Sequence, residues 1–135
     1  MLTALHRIDT KDAAGNFNGW LVPIWRADSG EAVSQVYLTV VLPGCTKGPH
    51  LHLKRTGRFT CIGGRAQVLM RNGHGYEGAI LSEANPAALI IPPGTAAEIR
   101  CLGERPAYML NMPDPAWTAD EPDEWPVEDW DPPNA

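Results

Sequence analysis

Turn chemistry interrupts this chain so often that no long regular element fits before residue 114. Glycine and proline contribute 13 residues each to the 135. They gather with Asn, Asp and Ser at Asp28-Ser29-Gly30, Gly63-Gly64, Asn72-Gly73, Asn85-Pro86 and Pro92-Pro93-Gly94. Asn-Gly in particular favours a turn whose central residues take positive φ. Between these breaks lie short alternating or β-branched runs: Gly19–Trp25, Ala32–Leu42, Arg58–Ile62, Ala66–Met70, Gly78–Leu81, Ala88–Ile91, Ala96–Cys101 and Ala107–Asn111. Many short strands at this spacing predict an all-β fold, a small antiparallel sandwich or barrel. An apolar fraction of 44% excludes bulk disorder, and the length suits one domain with a core of its own.

Charge divides the chain in two. Eight of the 16 acidic residues lie between Asp114 and Ala135, where there is no Lys or Arg; the other eight share residues 1–113 with all 11 bases, a net of +3. No Asp or Glu occurs between Glu31 and Glu77, a stretch that holds Lys47, Lys54, Arg55, Arg58, Arg65 and Arg71. Such a segment suits an anionic small ligand, or simply a solvated face. Nucleic acid is not expected as a partner, because the total is acidic and the bases are not interleaved with aromatics. The expected organisation is a barrel over residues 1–112 and an irregular arm over residues 113–135. That arm contains Pro115, Pro122, Pro126, Pro132 and Pro133, and also Trp117, Trp125 and Trp130. An acidic tail without structure rarely carries so many indoles, so the arm is expected to pack them onto the barrel or onto a second subunit.

Cys45, Cys61 and Cys101 are odd in number and widely spaced. The opening residues lack the charged-then-apolar layout of a secretory signal, and no apolar run approaches the ~18 residues of a membrane span. The expectation is a soluble cytoplasmic protein with reduced thiols and no membrane partner.

The informative segment runs from Gly44 to Gly64 and contains Lys47-Gly48-Pro49-His50-Leu51-His52. In a strand, side chains alternate with period two, so His50 and His52 project from one face. Two adjacent imidazoles can bind a metal, share a substrate proton, or cap a barrel rim as structural residues. The segment resembles the first motif of the cupin superfamily: Gly44, His50, His52 and Gly64 fall on its positions, and Gly57 stands where its Glu would be. Pro92-Pro93-Gly94-Thr95-Ala96-Ala97 is similar to the second motif, with Ala97 in place of its His. The resemblance implies a jelly-roll barrel with both histidines in its mouth. Metal cupins use three His and one carboxylate, two of which are absent here, so no metal and no other cofactor is expected.

Lys47-Gly48-Pro49-His50-Leu51-His52 looks like a stretch of the sugar-nucleotide 3,4-ketoisomerases and of the dTDP-4-dehydrorhamnose 3,5-epimerases. Leu81-Ser82-Glu83-Ala84-Asn85 and Ile90-Ile91-Pro92-Pro93-Gly94 are similar to two further epimerase motifs. This resemblance implies a metal-independent epimerase or ketoisomerase acting on a dTDP-4-keto-6-deoxy sugar. A proton would leave the carbon beside the carbonyl and return on another face or atom. By family position His50 is the base, His52 its neighbour, and Lys47 the counterpart of an Arg. Tyr37 resembles the tyrosine that ketoisomerases present from the preceding strand. Lys47 or Arg58 would face the enolate charge, and Lys54, Arg65 and Arg71 the diphosphate. The epimerases' Tyr acid is replaced by Pro115. Two other readings stay open: a non-catalytic cupin that binds a nucleotide sugar or other anion, and a metal cupin with unconventional ligands from Cys45 or His74. A homodimer is expected from exposed strand edges and the Trp-rich arm.

Overall fold

A computed structural model describes residues 1–73 and 75–133. Eleven strands appear in chain order: β1 (Leu2–Ala4), β2 (Ile8–Lys11), β3 (Phe17–Leu21), β4 (Tyr37–Val41), β5 (Thr46–His50), β6 (Gly57–Gly63), β7 (Arg65–Asn72), β8 (Gly75–Ser82), β9 (Ala87–Ile91), β10 (Ala97–Leu102) and β11 (Ala107–Asn111). A five-stranded sheet has the order β1-β9-β6-β11-β4 and a four-stranded sheet the order β5-β10-β7-β8. All neighbours are antiparallel, as in β11 against β4, where Ala107 pairs with Val41 and Asn111 with Tyr37. The chain is all-β, as its turn punctuation implies, and no helix among the described residues is long and apolar enough to cross a membrane.

Period-two alternation builds the core between the two sheets. Ala66, Val68 and Met70 of β7 point inward and meet Cys61, Leu89 and Met109 of the opposite sheet in one buried cluster. Burying the larger of these, Val68, Met70, Leu89 and Met109, contributes ~1.5–3 kcal/mol each. The β7–β8 hairpin turns one residue later than Asn72-Gly73 suggests, because Asn72 is still paired, with Gly75. Gly73 takes φ +59° there, and His74 lies outside the described residues.

Four strands depart from the sequence expectation. β1 is only three residues long and is fixed from outside, through pairing of Leu2 with Leu89 and of Thr3 with Ala88. β2 and β3 form a two-stranded sheet of their own, and Pro23, which has no N–H to donate, follows close on the end of β3. The run Ala32–Leu42 forms strand only over β4; residues 22–36 are irregular and are tied down by buried Arg58, which donates to the Ile24 carbonyl and pairs with Glu31.

Residues 113–133 run along the barrel as an arm. Asp114 bridges to Thr56, the Trp117 N–H donates to Gln35, and the Trp125 N–H donates to the Leu51 carbonyl. Further on, Trp130 packs edge-on against Tyr76.

Candidate functional site

One end of the barrel opens into a cavity of about 540 Å³, lined from both sheets and closed on one side by Trp117 and Glu124 of the arm. Its shape begins with a strand defect. Pairing of β5 with β10 slips between Ala97, opposite His50, and Ile99, opposite Lys47. Two residues of β5, Gly48 and Pro49, therefore face the single residue Glu98, which is a bulge. Lys47 and His50, three positions apart, both line the cavity because the bulge restores their common face. Gly48 permits it: with φ +107°, a Cβ there would lie 2.8 Å from the Ala97 carbonyl oxygen. No other residue could keep β5 so close to β10.

His52 lies just past the end of β5 and is half-buried, whereas His50 is exposed at its end. Their rings stack with centroids 6.2 Å apart and planes 11° apart. The Nδ1 of His52 lies 2.7 Å from the main-chain oxygen of Asp123. A carbonyl only accepts, so Nδ1 carries the proton and Nε2 the lone pair. Arg55 is buried, and its Nη2 lies 3.1 Å from Nδ1 and 3.2 Å from Nε2 of His52. An atom so placed in the ring plane would overlap Cε1, so the guanidinium nitrogen sits over the ring face. Burial holds the His52 pKa below the ordinary imidazole value; the Asp123 carbonyl opposes that shift, while the charges of Arg55 and His50 reinforce it. His52 is accordingly neutral at pH 7.

Across the cavity, buried Asn111 accepts from the Arg58 main-chain N–H at 3.1 Å through Oδ1. Its Nδ2 donates to the Tyr37 hydroxyl at 2.7 Å. Tyr37 Oη is thus an acceptor from Asn111, and its own proton is available to a ligand. Lys47 Nζ donates to Thr39 Oγ1 at 2.8 Å.

Of the residues singled out in the sequence, Tyr37, Lys47, His50 and His52 come together here, and four bases do not. Lys54 lines a smaller cavity of about 350 Å³ between barrel and arm. Arg58 alternates with Gly57 and Phe59, which line the large cavity, so its side chain leaves the other face of β6 and is taken up by Glu31 and Ile24. Arg65 is exposed at the first position of β7, opposite Ser82. Arg71 donates to the Glu128 carbonyl at 2.6 Å and lies over the Trp130 ring; it holds the arm. Asn111, Asp123 and Glu124 were not singled out for the site in the sequence, Arg55 was read only as part of the basic segment, and Trp117 only as an arm ring expected to pack. Only the arm's indoles signalled that the segment would dock.

Ala97 and Gly57 do line the cavity, where cupin metal centres have a His and a Glu. Among the described residues no three His, Cys, Asp or Glu side chains converge as a ligand group. Two imidazoles, with Gly57 and Ala97 where the other ligands would stand, do not make up a four-ligand cupin metal set.

Comparison with known proteins adds the following. The sequence model of the family described as Polysaccharide biosynthesis C-terminal domain matches residues 15–125. The spore coat polysaccharide biosynthesis protein SpsL of Bacillus subtilis (strain 168) is 33% identical over 89 residues, covering 61% of this chain and 59% of SpsL. This chain thus spans less than two thirds of that relative. The probable low-salt glycan biosynthesis epimerase Agl13 of Haloferax volcanii is 25% identical over 133 residues, covering 89% of this chain and 85% of Agl13. The crystal structure of a dTDP sugar isomerase from Desulfovibrio desulfuricans G20 superposes with a TM-score of 0.74 at 23% identity, covering 84% of this chain and 75% of that one. The barrel is the cupin-like fold of that isomerase.

Proposed function

This chain belongs to the polysaccharide biosynthesis C-terminal domain family, and from that premise we propose that it is a metal-independent epimerase or ketoisomerase of a dTDP-4-keto-6-deoxy sugar. The observation that carries the reading is the stacked His50–His52 pair in a cavity that also presents the Tyr37 hydroxyl and the Lys47 ammonium. Likeness to a dTDP sugar isomerase and to a glycan biosynthesis epimerase supports the substrate class.

The chemistry follows from the groups present. A C–H beside a ketone needs a base that titrates near neutrality. His50 takes that proton and becomes an imidazolium. Neutral His52 beside it removes the repulsion that a second charged ring would impose. The enolate oxygen receives hydrogen bonds from Tyr37 and Lys47, donors already fixed by Asn111 and Thr39. Return of the proton to the other face or the neighbouring carbon completes an epimerisation or a ketoisomerisation. Arg55, which lines both this cavity and the smaller one, provides positive charge for the diphosphate.

We further infer that two copies associate. The β2–β3 hairpin leaves Phe17 60% and Trp20 55% exposed, apolar surface that a second subunit would cover. Light scattering at micromolar concentration should return the dimer mass; a monomer mass refutes it.

The decisive experiment is incubation with a dTDP-4-keto-6-deoxy sugar in heavy water. Deuterium should enter at the carbon beside the carbonyl, and His50→Ala should slow entry about 100-fold or more. Binding without exchange would make the protein a nucleotide-sugar binder instead. Unchanged exchange in the variant would remove His50 as the base.

A further inference from the structure

Asp123 is the residue at which the arm and the histidine pair meet. Its backbone is left-handed, φ +50°, a conformation that costs a non-glycine residue energy and persists only when its surroundings impose it. The surroundings do so through one carboxylate. It accepts from three consecutive main-chain N–H groups of the turn after β5: Leu53 at 3.1 Å, Lys54 at 2.9 Å and Arg55 at 3.0 Å. It also accepts from the indole of Trp125 at 2.9 Å. The same strained backbone aims the Asp123 carbonyl at Nδ1 of His52, 2.7 Å away. The preceding carbonyl, of Pro122, accepts from Arg55, the side chain that covers the His52 ring.

We propose that Asp123 is a positioning residue for His52: its carboxylate seats the arm on the turn at residues 53–55, and its carbonyl holds the imidazole in the Nδ1–H tautomer with the lone pair on Nε2. The role of that tautomer in proton transfer rests on the reading of the cavity given above; the hold itself does not. A free imidazole side chain in water favours the opposite tautomer, so the arm sets a state that the barrel alone does not set. This gives the arm a function beyond covering apolar surface. Among the described residues, the charged and titratable groups around the ring are Arg55 over its face, His50 parallel to it, the Asp123 carboxylate beside it, and Tyr37, Lys47 and Glu124 around the same cavity.

Nitrogen-15 spectroscopy of the histidine rings in the full chain tests this without substrate. The wild type should show His52 as the neutral Nδ1–H form at pH 7.5. In Asp123→Ala the pattern should move to the Nε2–H form, while the amide spectrum of β6, β7 and β11 stays in place. Asp123→Asn tolerates the left-handed backbone but keeps only one of the two acceptor oxygens, so its tautomer population should fall between those of the wild type and Asp123→Ala. In heavy water with the sugar nucleotide, Asp123→Ala should exchange at least about tenfold more slowly, with its pH profile displaced, and Asp123→Asn should recover part of the rate. A wild-type His52 protonated at Nε2, or a tautomer indifferent to Asp123→Ala, overturns the proposal. A tautomer switch in a protein that exchanges no deuterium supports the role of Asp123 and overturns the enzymatic reading instead.

Discussion

Asn111 and Tyr37 form a directional pair: the amide nitrogen of the first donates to the hydroxyl oxygen of the second at 2.7 Å. The direction is set from behind, because the Arg58 N–H occupies the amide oxygen. Tyr37 can then only give its proton away from Asn111, which is what stabilisation of an enolate oxygen requires. Tyr37→Phe should lower isotope exchange about 10- to 100-fold while leaving nucleotide-sugar affinity within a few-fold. Asn111→Leu should reduce exchange and also strand the Arg58 N–H, at a cost of about 1–3 kcal/mol in urea unfolding. An Asn111→Leu variant as stable as the wild type would break this chain of hydrogen bonds as an explanation.

Gly48 is where the fold and the site depend on the same atom. Alanine there needs a left-handed backbone and meets the Ala97 carbonyl at 2.8 Å and the Glu98 Cα at 3.1 Å. Backbone strain alone costs about 1–3 kcal/mol, and relief requires β5 to move away from β10. Gly48→Ala should therefore lower the melting temperature and move His50 and Lys47 out of line with Tyr37. Thermal unfolding and isotope exchange should fall together. Wild-type exchange in this variant would mean that the bulge does not place His50.

Much of the barrel was legible because its signals are local. Ala66, Val68 and Met70 alternate within five residues, and Gly63-Gly64, Asn85-Pro86 and Pro92-Pro93-Gly94 fall at or just beyond strand ends. His50, His52 and Lys47 could be singled out because the motif around them is contiguous, and Tyr37 because it lies on the strand before that motif. What stayed hidden depends on distant partners. Lys47 and Arg71 are alike as bases in sequence, yet a bulge turns one into the cavity and β7 gives the other to Glu128 and Trp130. Asp123 meets His52 across 71 positions, with no neighbouring residue to announce the contact. β1 escaped notice for the same reason, since β9 alone makes it a strand.

Arg71 separates two uses of the same charge. If it binds diphosphate, Arg71→Ala should raise KM for the sugar nucleotide strongly. The structure instead commits it to the carbonyls of Glu128 and Asp129 and to the Trp130 ring. Arg71→Ala should therefore loosen the distal arm, seen as faster proteolysis beyond residue 126 and a red-shifted tryptophan emission. KM should change less than about threefold, because the hydrogen bonds at Asp123 lie upstream and are untouched. A tenfold rise in KM would return Arg71 to the substrate.

His52 also gives stability a pH dependence whose sign can be worked out. Its folded pKa lies below the ordinary value of 6.5, with burial as the largest cause. Between those two values the unfolded chain binds the proton and the folded chain does not, so stability rises with pH across the window. The contribution is complete above about pH 6.5 and is lost as pH falls toward the folded value. Asp123 acts in a lower window: hydrogen bonds from Trp125 and from the Lys54, Leu53 and Arg55 amides, working against desolvation, hold its carboxyl well below the usual range. Its share is present above the ordinary value of 3.8 and is lost in stronger acid. Urea midpoints measured from pH 7.5 to pH 5 should therefore decline in the wild type, and less steeply in His52→Gln, which cannot take up the proton. Equal slopes in the two proteins would show that His52 is not held neutral by its burial under Arg55 and the arm.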